Sequence, residues 1–395
     1  MSQHPVPESY VRLCLRVGEH LEDFVDAYIG PRALREEVRA EGRQDPRSLR
    51  DDALALIEAV PNEDLEEDRV RWLLAQLRGI ECVAARLCGD DVSWSDEVER
   101  CFGIRPRHVE EGQFEESHKR LDEVLPGSGD LSFRYNGWIE SNHVPRETLP
   151  DAIEVINAEV RGRAAAIAQL PEAESVHYKF VTDEPWQAFN WYKGDLNSVV
   201  EVNLDLPFSI VDLVDLVAHE AYPGHHTERV CKERLLYRER GRFETCVMVL
   251  SAPEAVVSEG IATTALEVAL GDEGLQPVLD LVRGLGYDVD ADVAEAVRQE
   301  EWQLFEAATN VARMLHENGM SREDAEAYLH HWALDSPERA AKTVDFLTVP
   351  GSRAYATAYT DGRRLCRTFM DRHEDGFKRL LTEQLTVSSL LDPES

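Results

Sequence analysis

Apolar positions recur at helical spacing through most of the chain. From residue 7 to residue 28, Val11, Leu13, Leu15, Val17, Leu21 and Phe24 form a pattern that reads as one helix. IGPRAL then turns the chain and restarts a helix, with Pro31 near its first turn, where a missing N–H is harmless. ALALIEAV and DRVRWLLAQLRGIECVAARL carry the period to about residue 88. HVEEGQFEESHKRLDEVL and the stretch from Glu147 to Leu170 predict two more helices. PGSGDLSFRYNGWIESNHVP lies between them, with turn residues at both ends.

The texture changes near Pro171. HYKFVTDEPWQAFNWYKGDLNSVVEVNLDLP is rich in aromatic and β-branched residues and is broken by Pro, Gly, Asp and Asn. It predicts a small antiparallel sheet, with Ser198 to Leu206 as its clearest strand. Helical spacing returns at about Ile210 and persists to the end. The expected fold class is mainly α: a large helical protein with one small antiparallel β-sheet directly before its most unusual motif. No low-complexity linker interrupts the chain. A helical region over residues 1–170 and a chemistry-bearing region over 171–395 are therefore expected to form one continuous unit.

Charge narrows the function classes. Asp and Glu number 76 against 42 Lys and Arg, a formal net charge of -34. Such a surface repels a phosphate backbone, so nucleic acid is not an expected partner. Only six of the cations are Lys. An acidic, Lys-poor composition suits concentrated salt, where the Debye length falls to about 3 Å, and a halophilic source is one expectation. No run of about 18 apolar residues occurs, so no membrane span is expected. The start MSQHPVPESYVRL has neither a basic nor an apolar leader region, which points to a cytoplasmic protein. Seven Cys without a CxxC pair fit reduced, buried thiols.

The unusual motif is VDLVDLVAHEAYPGHHTERVCKE. Leu213, Val214, Val217 and Ala221 recur at helical spacing, which sets His219 and Glu220 on a helix in apolar company. A His followed by Glu, with more His about a turn later, is the logic of zinc hydrolases. Neutral imidazoles bind Zn²⁺ and the adjacent Glu acts as general base. The usual second ligand stands at i+4, but that position is Pro223. On an undisturbed helix i+6 points away, and i+7 lies about 10.5 Å along the axis. Pro223 and Gly224 are therefore expected to break the helix and swing His225, in preference to His226, back towards His219.

A third ligand is expected from SAPEAVVSEGIATTALEVALG. Val256, Val257, Ile261 and Leu266 give this helix a buried side, and Glu259 falls inside the run with Gly260 beside it. A carboxylate there needs a cation. His330-His331 point to different sides of one helix and predict surface or packing roles. Arg353 and Arg364 are candidates for holding a substrate carboxylate.

HEAYPGHH followed by SEGIA resembles the HExYPGHH and EGWA signatures of domain of unknown function 885, a family of zinc metallopeptidase-like proteins akin to gluzincins. VVEVNLDLP, with Asn203, resembles the strand before the family's motif. VDFLTVPGSRAYATAYTDGRRL resembles its late segment, and DAYIGP a short early one. The likeness runs through about residues 175–372 and is faint before that. It departs from the family at Ile261, where an aromatic is usual, and at Thr227-Glu228, where an apolar residue and Gln are common. The resemblance implies a helical metallopeptidase-like protein and aligns Tyr359 with the family's Tyr. A Tyr hydroxyl suits the oxyanion formed during peptide hydrolysis, with Tyr355 as its rival on the same face.

The reading is then a zinc-dependent hydrolase cleaving small peptides. His219, His225 and Glu259 hold the metal, Glu220 and Tyr359 are catalytic, and Asn203 and Arg353 are substrate-binding. The strand from Val199 to Leu204 is expected to pair with an extended peptide as an edge strand does. The alternative is a non-catalytic helical scaffold with a structural metal site. Glu220 discriminates, because a closed structural site needs no carboxylate beside its first ligand.

Overall fold

The apolar positions before residue 28 divide between two elements in the structure, a computed structural model describing residues 5–184, 186–205, 207–349, 351 and 353–392. Helix α1 (Pro5–Gly18) ends ten residues before the expected limit, and the chain re-forms as strand β1 (Val25–Tyr28). Gly18 is the reason: a side chain there meets Val25 Cγ2 at 2.9 Å, so the turn closes on a glycine. Strand β1 pairs antiparallel with β5 (Val247–Val249), far along the chain.

Helices α2 (Arg32–Glu41), α3 (Pro46–Ala59), α4 (Glu67–Leu87), α5 (Trp94–Glu97), α6 (Glu111–Val124), α7 (Leu131–Ser141) and α8 (Leu149–Ala168) follow. Capping residues start several of them. Asp45 accepts from Arg47 N, Ser93 from Asp96 N and Asp130 from Phe133 N.

Strands β2 (Ser175–Val181), β3 (Ala188–Gly194) and β4 (Asn197–Asn203) form the predicted sheet in the order β2-β4-β3. Strands β3 and β4 are a hairpin turned at Asp195-Leu196, both at positive φ. Strand β2 runs parallel to β4, so the sheet is mixed and not wholly antiparallel. This also corrects the expected edge: β4 is hydrogen-bonded on both sides, and β3 is an outer strand. The expected strand's last residue, Leu206, lies outside the described residues.

Helices α9 (Ile210–Glu220), α10 (His225–Lys232), α11 (Pro253–Leu270), α12 (Gln276–Arg283) and α13 (Ala291–Glu317) come next. Helices α14 (Arg322–Trp332), α15 (Pro337–Thr348), α16 (Ala356–Arg372), α17 (Gly376–Thr382) and α18 (Val387–Leu391) complete the fold, which is mainly α. All of α11 is buried except Glu267 and Val268. It lies in backbone contact with α16, since a Cβ on Gly260 meets Gly362 O at 2.4 Å and one on Gly362 meets Val256 O at 2.4 Å. One apolar core runs from Val6 to Leu390. Buried polar contacts cross it too: Arg69 donates twice to Glu244, both at 2.8 Å. Among the described residues no helix is long and apolar enough to cross a membrane.

Candidate metal centre

Helix α9 starts on a capping box in which Ser209 and Asp212 each bond the other's backbone N–H. Ile210, Leu213, Val214, Val217 and Ala218 anchor it in the core, which leaves His219 half-buried on the opposite side. The helix stops at Glu220. Ala221 leaves helical geometry (φ -116, ψ -82), and the Tyr222-Pro223 bond is cis. Gly224 then folds back until its N–H donates to Ala218 O at 3.0 Å. A Cβ at Gly224 lies 1.9 Å from His219 O, so no other residue fits. Helix α10 begins at the very next residue, His225.

The turn brings the two rings together edge to face, with centroids 4.7 Å apart. Glu259 of α11 meets them from the neighbouring helix. One ligand atom from each of His219, His225 and Glu259 lies within 4.8 Å of the other two. His219 Nε2 stands 3.5 Å from Glu259 Oε2, and His225 Nε2 stands 3.8 Å from Glu259 Oε1. These gaps are long for hydrogen bonds but close to the roughly 3.3 Å that separates two ligands of a tetrahedral zinc ion. Glu259 Oε1 accepts from Tyr355 OH at 2.7 Å, while Oε2 is buried without a hydrogen-bond partner. A buried, half-satisfied carboxylate facing two imidazoles has the donor chemistry that a divalent cation completes.

The electrostatics follow from burial. Desolvation, aided by neighbouring His225, holds His219 well below its ordinary value, which keeps it neutral as a ligand must be. For His225 burial acts downward, but Glu259, Glu228 and Glu220 outweigh it and push the ring up to about 9. A cation held by these three side chains would supply the positive charge that this proton provides. Burial raises Glu259, with His225 opposing, and raises Glu220 to about 7. Glu220 is only 8% exposed, and its carbonyl accepts from Asn190 of β3.

Both tyrosines of the late segment reach this centre. The Tyr359 ring lies nearly parallel to that of His219, with centroids 6.3 Å apart, and 5.5 Å from the Tyr355 ring. Tyr355 is committed to Glu259, whereas the Tyr359 hydroxyl has no hydrogen bond among the described residues. Phe305, 37% exposed, stands edge to face with Tyr359, with centroids 6.0 Å apart. Pro350, which precedes this segment, lies outside the described residues.

Other candidates stand elsewhere. His226 is fully buried, its Nδ1 2.8 Å from Ser198 Oγ and its Nε2 2.8 Å from Glu174 Oε2. Asn203 donates to the carbonyls of Glu184 and Trp186 and accepts from Asp205 N, so its amide ties the loop around β4. Arg353 donates to Glu97 at 2.5 Å and to Val92 O at 2.9 Å. These bonds engage both side chains, proposed for substrate binding, within the fold. His330 bonds Asp335 O, and His331 packs on Trp332. Ile261 is fully buried, so it packs the core and lines no cleft.

Sequence reasoning passed over Asp26 of β1. Its carboxylate lies 3.5 Å from Arg229 Nη2, and burial raises it against the pull of Arg229 and His225. The signal available was an acid inside the apolar run FVDAY.

No family model matches the chain, and no curated protein matches it. Solved structures do. A candidate lipoprotein from Colwellia psychrerythraea aligns with a TM-score of 0.53 and 16% identity, over 87% of this chain and 65% of that one. The chain thus spans just under two thirds of that relative's length. A second, of unknown function, from Shewanella oneidensis aligns at 0.50 and 13%, over 90% of this chain and 75% of its own. An M32 carboxypeptidase from Deinococcus radiodurans R1 matches at 0.34 and 11%, over 95% and 88%, too low a score to carry an argument. The first two show a shared fold and nothing of activity. Likeness to domain of unknown function 885 therefore rests on HEAYPGHH, SEGIA and the segments around them.

Proposed function

We propose that the protein is a zinc-dependent hydrolase, a peptidase acting on small peptides in the cytoplasm. The carrying observation is the convergence of His219, His225 and Glu259 within 4.8 Å, with a partnerless buried oxygen on Glu259. Two imidazoles and one carboxylate leave a fourth position for water, the pattern of catalytic zinc. When bound, zinc supplies a Lewis acid and lowers the pKa of its water.

The chain's own residues supply the rest. Glu220, pushed up to about 7 by burial, takes the proton of the attacking water and returns it to the leaving amine. Tyr359 donates its free hydroxyl to the developing oxyanion. Outer strand β3 offers backbone groups to an extended peptide, a task that the central position of β4 rules out for that strand. The acidic surface argues against nucleic-acid partners, and no membrane partner is part of the reading.

Zinc content per chain, with peptide hydrolysis before and after chelation, tests the proposal. Glu220→Gln is expected to retain zinc and lose about 10²–10⁴-fold in rate. Wild type without zinc, or hydrolysis indifferent to the chelator, sinks it. A Glu220→Gln enzyme as fast as wild type gives the site to the structural-metal scaffold instead.

A further inference from the structure

His225 is held from behind by buried side chains that no ligand assignment uses. Its Nδ1 stands 3.2 Å from Ser258 Oγ on α11. Ser258 donates its hydroxyl to Glu228 Oε2 at 2.5 Å. The other oxygen of Glu228 accepts from Lys232 Nζ at 2.7 Å, and Lys232 also donates to Glu254 Oε1 at 3.2 Å. Arg229 Nη2 approaches Ser258 Oγ at 3.5 Å. Ser258, Glu228, Lys232 and Glu254 are all buried.

Counting hydrogens fixes the direction of this chain. Glu228 is a carboxylate paired with an ammonium, so towards Ser258 it only accepts. Ser258 has one proton, and that proton goes to Glu228. Towards His225 the Ser258 oxygen is then an acceptor, so Nδ1 carries the hydrogen. A neutral imidazole protonated on Nδ1 has its lone pair on Nε2, the atom that faces Glu259. His219 has no such support: its ring makes no hydrogen bond among the described residues.

We infer that Ser258 and Glu228 are positioning residues that hold His225 in the tautomer with a free Nε2 and so set the affinity of the site for zinc. This rests on the reading of His225 as a ligand. A glutamine at 228 donates as well as accepts, which releases the direction of the Ser258 bond. An alanine at 258 cuts the chain outright.

Zinc affinity of the purified full-length protein, measured by competition with a chromophoric chelator, tests the inference. Ser258→Ala and Glu228→Gln are expected to bind zinc about 10–100-fold more weakly, with circular dichroism unchanged. Ser258→Thr keeps the hydroxyl and is expected to stay within about threefold of wild type. Two folded variants that bind as tightly as wild type overturn the relay and leave His225 a ligand. Equal weakening by Ser258→Thr and Ser258→Ala also overturns it, because packing and not the hydroxyl then sets affinity. A wild type that binds no zinc overturns both the relay and the proposed function.

Discussion

His225 and His226 are neighbours in sequence and opposites in environment. The His226 ring has both nitrogens bonded, to Ser198 and Glu174, and no exposed surface. Glu174 also accepts from Tyr222 OH and Arg161, so that cluster is closed. The His225 ring is bonded on one nitrogen only, and its Nε2 opens towards His219 and Glu259. Residue type is the same in both places. What separates a core histidine from a proposed metal ligand here is whether the surrounding polar groups are complete without a further atom. The first cluster is complete; the second retains an unbonded Glu259 oxygen.

The sharpest test of this contrast is to delete each ring. His225→Ala is expected to drop zinc from about one ion per chain to near none and to abolish hydrolysis. His226→Ala is expected to keep its zinc, as elemental analysis after desalting reports. The reverse pattern breaks the comparison. Next in size is Tyr359→Phe, which removes the proposed transition-state donor. A fall of about 10²–10³ in kcat with unchanged zinc is expected, and full turnover assigns the oxyanion to another group.

A smaller effect reads the closed cluster. His226→Ala leaves Glu174 and Ser198 each short of a buried partner, which costs about 1–3 kcal/mol of stability. Urea unfolding measures it, and an unchanged midpoint means that water replaces the ring. The smallest effect belongs to Arg353→Lys. Its guanidinium is engaged by Glu97 and Val92, so KM for peptides with a free carboxylate is expected to stay within about twofold. A tenfold rise in KM returns Arg353 to the substrate.

Local signals made much of this legible. The helical period located most helices, and the Pro223-Gly224 break, read with helix geometry, favours His225 over His226 as the ring turned towards His219. Glu259 announced itself as a charge inside an apolar run. What stayed hidden depends on chain segments far apart. Strand β1 looks like the tail of a helix until β5 arrives to pair with it. The parallel partner of β4 cannot be read from alternation, which is the same for parallel and antiparallel neighbours. Asn203 and Arg353 carry plausible side chains for a ligand, but their partners, the loop at 184–186 and Glu97, are fixed only by tertiary packing.

The glycine contact between α11 and α16 has a mechanical consequence. With backbone against backbone at Gly260 and Gly362, the two helices have no soft layer along which to slide or tilt. Glu259 rides on one of them, Tyr359 on the other, and Tyr355 is the cap residue directly before it. The distance from the carboxylate to both hydroxyls is thus a fixed ruler. Any motion that leaves this contact intact displaces all three groups as one block, with the hinge falling outside this pair of helices.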